Sequence, residues 1–179
     1  MNAIFLSSNG FQSVVWTNLA GTFHACRAAY DHYMRDHGGS IVNITLGNRN
    51  SMSNMCHSGA ARAGIENMSI TLSHEWMGSG IHVNCVWPGI VFTDSGFENY
   101  GPAGPHFLER IVPAMPARRL LSPDGVSSAF CWLLSEGASY VTGAIVSVNG
   151  GSAHHFLLLI DTEDGPFAGI RNATSQGEV

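Results

Sequence analysis

The chain has 179 residues, of which 45% are hydrophobic and 12% are charged, and its formal net charge is −5 at pH 7. This length and composition predict one globular domain and argue against an intrinsically disordered protein. The chain contains no lysine and no basic cluster larger than Arg118-Arg119, so a nucleic-acid-binding surface is not expected.

The first half of the chain predicts two helices separated by a strand. Between residues 10 and 36, apolar side chains recur in steps of three and four, which predicts a long amphipathic helix that ends at the glycines 38–39. The β-branched run 40–46 predicts a strand. A second apolar stripe over 57–76 predicts another helix, which the glycine-rich stretch 78–80 ends.

The second half predicts a strand, a loop, a helix and a strand. These lie at 81–87, 88–116, 122–135 and 143–151, with Ser122-Pro123 as the start of the helix. Helices that alternate with short apolar strands predict an α/β fold with a parallel sheet, here of three strands with helices on both faces. We expect one domain over 1–151 and a loosely ordered tail over 152–179, which shows no periodicity.

Neither a membrane span nor a metal site is predicted. The apolar runs are short, and "MNAIFLSSNG" has no basic region of a signal peptide, so a soluble intracellular protein is expected. The nine histidines and four cysteines show no H-x-x-x-H or C-x-x-C spacing, so we expect free thiols and no bound metal.

Six ordered motifs resemble the second half of a short-chain dehydrogenase/reductase. They are "TNLAGTF" (17–23), "GGSIVNI" (38–44), "HSGAARAG" (57–64), "IHVNCVWPGIVFTD" (81–94), "ASYVTG" (138–143) and "VSVNGG" (146–151). The form of the third motif resembles most closely the family's peroxisomal trans-2-enoyl-CoA reductase branch. The resemblance implies the C-terminal portion of a Rossmann-like doubly wound sheet. The glycine-rich turn of the dinucleotide-binding half does not occur in the sequence, so that half is expected to be absent.

The resemblance also implies a function, namely NADPH-dependent reduction of 2-enoyl-CoA thioesters in fatty acid metabolism. Without the glycine-rich turn, weak or no NADPH binding is expected for this chain alone. One alternative is a non-catalytic, truncated isoform that pairs with full-length subunits, and another is a 3-oxoacyl-thioester reductase. Family members form homo-oligomers through helices equivalent to 10–36 and 56–78. The family suggests a peroxisomal location, but "QGEV" is not a peroxisomal tripeptide, so a cytoplasmic location stays open.

Ser58 and Arg62 take the positions of the family's catalytic tyrosine and lysine. A serine hydroxyl is a far poorer general acid than a phenol, which argues against carbonyl reduction by the usual triad. Arginine keeps the positive charge and can bind ribose hydroxyls or a phosphate. The upstream serine position falls at Leu46, next to Thr45. The structural alternative is that Ser58 caps the helix and Arg62 pairs with a surface carboxylate.

The remaining candidate residues follow from two further motifs. Asn18 lies on the apolar face of the first predicted helix, where the family has an asparagine that orients a water in a proton relay; the alternative is a helix-packing amide. The segment "PGIVFT" resembles the family's cofactor loop, which implies cofactor contacts from Pro88, Gly89, Val91 and Thr93, and the alternative is a plain turn after a strand.

Overall fold

A computed structural model describes residues 3–47, 52, 54–93 and 104–152, without the side chains of 104–107 and 110. Its first helix spans residues 8–37, as the apolar periodicity predicts. The helix comprises α1 (Ser8–Val15), a π-helical turn (Trp16–Ala20), α2 (Gly21–Ala29), a second π-helical turn (Tyr30–Met34) and α3 (Arg35–His37). The Ser7 side chain caps its start by accepting from the Gly10 N–H at 3.1 Å.

Three parallel strands form one sheet in the order β1-β2-β3. They are β1 (Gly39–Ile44), β2 (Ile81–Pro88) and β3 (Ile145–Val148). The register places Gly39 opposite Ile81, and Cys85 opposite Ile145. The predicted α/β class with a three-stranded parallel sheet is therefore confirmed, although β1 and β3 are shorter than predicted. β3 is short because Gly143, Gly150 and Gly151 adopt positive φ angles, which turn the chain out of the sheet on both sides.

Helices cover both faces of the sheet. On one face lie the first helix and α4 (Cys56–Glu75), where Leu72 and Trp76 pack on Ile81 and Val83 of β2. On the other face, the helix that follows residue 122 packs its Leu133 on Val86. Because adjacent strand residues point to opposite faces, β2 contributes to both cores.

One helix in the described part of the chain corrects the sequence prediction. The predicted loop 88–116 contains α5 (Gly104–Ala114), and α6 (Pro123–Leu133) follows it. Ile111 and Met115 are buried, so the apolar spacing of four residues outweighs the local proline and glycine content. Pro113 lies in the last turn of α5, next to the residue at which the helix ends. None of the helices in the described ranges is long and apolar enough to cross a membrane.

A fully buried amide fixes the chain that leads into β3. The Asn84 Nδ2 donates to the Val141 carbonyl at 2.9 Å, and the Ala144 N–H donates to the Asn84 Oδ1 at 3.0 Å. The Asn84 side chain is fully buried, whereas its partners Val141 and Ala144 are partly buried. Asn84 therefore sets where β3 begins to pair with β2.

Candidate functional site

The candidate site lies where the carboxyl end of β1 meets the first turns of α4. In open parallel sheets, ligands bind in the crevice outside the carboxyl ends of the strands. Arg62, in the second turn of α4, reaches this edge, because its Nη1 donates to the carbonyl of Ile44, the last residue of β1, at 2.9 Å. The structure thus places Arg62 at the edge of the sheet where ligands bind in this class of fold.

Arg62 is a half-buried cation, and not all of its N–H groups have an acceptor among the described residues. Its Nε is buried and has no hydrogen-bond partner within the described residues. Burial lowers the pKa of the guanidinium, because desolvation disfavours its charged form. The alternative of a surface ion pair is wrong for the described part of the chain, where Arg62 is anchored on a backbone carbonyl. The guanidinium as a whole is only half-buried, so its other N–H groups can donate to an anionic or hydroxyl-bearing ligand.

Ser58 is inside α4, one turn before Arg62, and it does not cap the helix. The N-cap residue is Met55, which makes no side-chain capping bond, so the capping interpretation of Ser58 is wrong. The Ser58 N–H donates to the Nδ1 of His57 at 2.7 Å. Ser58 and Arg62 therefore share one face of α4, as their spacing of four residues predicts.

A hydroxyl and a carboxylate lie directly behind Arg62. The hydroxyl belongs to Thr45, which is 2% exposed, and it donates to the Glu66 Oε1 at 2.9 Å. The same hydroxyl lies 3.4 Å from the Arg62 carbonyl oxygen. Glu66 is not among the residues that the motifs indicate, but its spacing of four from Arg62, after the same spacing from Ser58, places it on the same face of the helix.

Asn18 lies in the first π-helical turn of the first helix and is half-buried. Its carbonyl accepts from the Thr22 hydroxyl at 2.6 Å. The next residue, Leu19, packs so closely on Gly64 of α4 that a Cβ there would lie 2.8 Å from Leu19 Cδ2. Asn18 therefore belongs to a turn that contacts α4 two residues beyond Arg62, and π-helical turns are frequent at functional sites.

The segment after β2 is fixed through its backbone. The Gly89 N–H donates to the Val148 carbonyl at 2.9 Å, which holds the Pro88-Gly89 turn at the carboxyl end of the sheet. Val91 pairs with Leu121 in an isolated parallel bridge. Thr93, the last described residue before position 104, is exposed. This geometry places Pro88 and Gly89 at the same edge as Arg62, while Val91 and Thr93 follow on a segment joined to the start of α6.

A shallow apolar groove of about 780 Å³ lies between the first helix and α4, and Arg62 is not among the residues that line it. Trp16 and Phe23 line it and are 68% and 40% exposed. The other lining residues are Asn9, Phe11, Gln12, Ser13, Val15, Leu19, Ala20, Gly64, Asn67 and Met68. Large aromatic side chains exposed next to one another are typical of an interaction surface.

The chain is similar in sequence to one protein family and to several reductases of acyl thioesters. A family described as enoyl-(acyl carrier protein) reductase matches residues 1–153. The peroxisomal 2,4-dienoyl-CoA reductase of Pongo abelii, which produces (3E)-enoyl-CoA, is 39% identical over 82% of this chain and 50% of its own length. The 3-oxoacyl-[acyl-carrier-protein] reductase of Chlamydia trachomatis is 32% identical over 83% of this chain and 58% of its own length.

A solved structure shows the same fold. The citronellol catabolism dehydrogenase of Pseudomonas aeruginosa PAO1 superposes with a TM-score of 0.72 and 33% identity, over 86% of this chain and 59% of that one. This chain therefore spans about half the length of the curated relatives that it matches.

Proposed function

Because this chain belongs to the short-chain dehydrogenase/reductase family, we propose that it contributes the Arg62 side of a site that reduces a conjugated carbon–carbon double bond in an acyl-CoA thioester. The observation that carries the proposal is the half-buried Arg62 guanidinium, which is anchored on Ile44 and whose Nε has no partner among the described residues. The Pongo abelii relative is named for a reaction on such a thioester.

The residues present fit the nicotinamide side of a dinucleotide. The Arg62 guanidinium can donate to ribose hydroxyls or a phosphate, and the Gly89 backbone lies at the same edge of the sheet. NADPH, when bound, supplies the hydride. The glycine-rich turn that holds the pyrophosphate in the family does not occur in residues 1–179, so we propose that this chain alone binds NADPH weakly.

Arg62 would act on the thioester through charge. Reduction of a conjugated double bond places negative charge on the thioester oxygen, and a preorganised cation in a half-buried site stabilises such charge. Ser58 could donate a hydrogen bond but is a poor acid, so we assign it to orienting the substrate. Asn18 would hold a water near the helix contact at Gly64.

The family offers two alternative substrate classes for this chain, enoyl thioesters and 3-oxoacyl thioesters. A 3-oxoacyl thioester is the alternative that the Chlamydia trachomatis relative suggests by its name. The serine at the tyrosine position disfavours this reaction, because reduction of a ketone needs an acid near the carbonyl oxygen. We therefore place 2-enoyl-CoA and 2,4-dienoyl-CoA thioesters ahead of 3-oxoacyl thioesters.

A chimera tests the proposal. Residues 1–153 of this chain, joined to the N-terminal half of the Pongo abelii relative, should oxidise NADPH in the presence of crotonyl-CoA or a 2,4-dienoyl-CoA and should be slower with acetoacetyl-CoA. Preference for acetoacetyl-CoA would favour the 3-oxoacyl alternative. No turnover by a folded chimera that binds NADPH would favour a non-catalytic protein.

We further propose that the groove between the first helix and α4 binds a second copy of this chain or a full-length subunit. The exposed Trp16 and Phe23 support this proposal, and so does the assembly of family members through the equivalent helices. A peroxisomal location is likewise a proposal that rests on the name of the Pongo abelii relative. Fluorescence microscopy of the tagged chain against a peroxisomal marker would test it.

A further inference from the structure

The carboxylate of Glu66 accepts a hydrogen bond from the buried Thr45 hydroxyl. Thr45 is 2% exposed, and its hydroxyl carries a single proton, which it donates to the Glu66 Oε1 at 2.9 Å. A second acceptor, the Arg62 carbonyl, lies farther away, at 3.4 Å. Glu66 thus decides the rotamer of Thr45, since a buried hydroxyl turns toward its better acceptor.

Thr45 in turn belongs to the peptide group on which Arg62 is anchored. The carbonyl of this peptide group is that of Ile44, which accepts from the Arg62 Nη1 at 2.9 Å. Its N–H is that of Thr45, which donates to the Val86 carbonyl at 2.9 Å. The peptide group is therefore held from β2 on one side and, through the Thr45 side chain, from α4 on the other.

We propose that Glu66 is a positioning residue for Arg62, acting through Thr45 and the Ile44–Thr45 peptide group. Glu66 and Arg62 are one turn apart on α4. The helix therefore contacts the end of β1 twice, through Arg62 at Ile44 and through Glu66 at Thr45. The inference rests on the proposed function in giving Arg62 a ligand to hold, but the geometry it describes exists without that ligand.

Hydrogen exchange of the Arg62 guanidinium, including the Nη1 protons that Ile44 accepts, tests the proposal when it is measured by NMR on the full 179-residue chain. Glu66→Ala should accelerate this exchange by about tenfold, the change that corresponds to 1.4 kcal/mol. Glu66→Gln keeps an acceptor oxygen and should restore most of the protection. Glu75→Ala, which changes an exposed glutamate on the same helix, is the matched control and should leave the exchange unchanged.

A second variant separates positioning from general stability. Thr45→Val removes the hydroxyl while keeping the shape of the side chain, and it should accelerate the Arg62 exchange as Glu66→Ala does. The double variant should show no more than the larger single effect, because both changes break the same link. Additive effects, or unchanged Arg62 exchange in folded Glu66→Ala and Thr45→Val chains, would overturn the proposal. Turnover of crotonyl-CoA by the chimera is the separate test of the proposed function, and its failure would leave the positioning role intact.

Discussion

Gly89 lies against Asn149, so close that a Cβ on the glycine would come within 2.9 Å of the Asn149 Cα. The contact joins the turns that follow β2 and β3, and the Gly89 N–H bond to the Val148 carbonyl reinforces it. Both partners are backbone, which cannot move aside as a flexible side chain can. The Pro88-Gly89 turn therefore depends on the absence of a side chain at position 89.

Gly89→Ala should lower the free energy of unfolding by about 1–3 kcal/mol, because the added methyl group overpacks a backbone contact. Urea denaturation followed by circular dichroism would measure it. Gly78→Ala is the matched control, since nothing lies within 4 Å of a Cβ there. Equal stability of the two variants would show that the turn relaxes without cost.

Asn84→Ala should lower the free energy of unfolding by about 2–4 kcal/mol, because the partly buried Val141 carbonyl and Ala144 N–H lose their side-chain partner. The same denaturation measurement applies. Asn67→Ala, at an exposed position of α4, should change stability by less than about 0.5 kcal/mol. A small effect at Asn84 would mean that water reaches these two backbone groups.

The stability of the fold should decrease at alkaline pH. Burial raises the pKa of the Cys85 thiol from 9.0 to about 11. The unfolded chain therefore loses this proton at a lower pH than the folded chain, and the contribution of Cys85 is complete below pH 9 and is lost as the pH rises through about 11. The loss should be on the order of 2–3 kcal/mol.

Unfolding measured across this pH range would show the decrease. Cys85→Ala should reduce the pH dependence to the part that the buried Cys26 thiol contributes, since burial raises the pKa of that thiol too, whereas Cys131→Ala, which changes an exposed thiol, should retain all of it. A pH dependence that is the same in the two variants would assign the decrease to other groups.

In the chimera, Arg62→Ala should reduce kcat/KM by roughly 10- to 100-fold, because a charge-assisted hydrogen bond is lost from a half-buried site. Ser58→Ala should reduce kcat/KM by no more than about fivefold, which corresponds to the loss of one neutral hydrogen bond. Arg62→Lys keeps the charge, so its kcat/KM should lie between those of the two alanine variants. Small and equal effects of the two alanine substitutions would show that both residues have only a structural role.

Trp16→Glu should shift the chain toward monomer in sedimentation velocity, because it places a charge in the apolar groove. Tyr140→Glu, at a fully exposed aromatic residue outside the groove, is the control and should leave the distribution unchanged. A Trp16→Glu chain that associates like the unaltered protein would place the interface elsewhere.

Periodicity predicts most of the fold, because each helix and strand has one face that must be buried. It does not reveal α5, since the proline and glycine around Ile111 mimic a loop and only burial of Ile111 and Met115 distinguishes the two. It also does not give strand ends, which depend on local φ angles such as that of Gly143.

The candidate site is only partly predictable for a related reason. Motif order places Ser58 and Arg62 on α4, and their spacing gives a common face. The partner of Arg62 is a backbone carbonyl, which every residue carries, so no residue type in the sequence indicates Ile44. Glu66 likewise gains its importance from a strand that is distant in the sequence, through Thr45.

The bridge between Val91 and Leu121 also governs how the chain between them can vary. Leu121 donates to the Ile90 carbonyl at 2.9 Å, and Phe92 donates to the Leu121 carbonyl at 2.9 Å, so the two ends are held together independently of what lies between. Closing such a loop costs entropy that grows only logarithmically with its length, by about 0.6 kcal/mol for each doubling. Ile111 and Met115 in the same interval are buried, so this low cost applies only to changes of length that leave their packing in place.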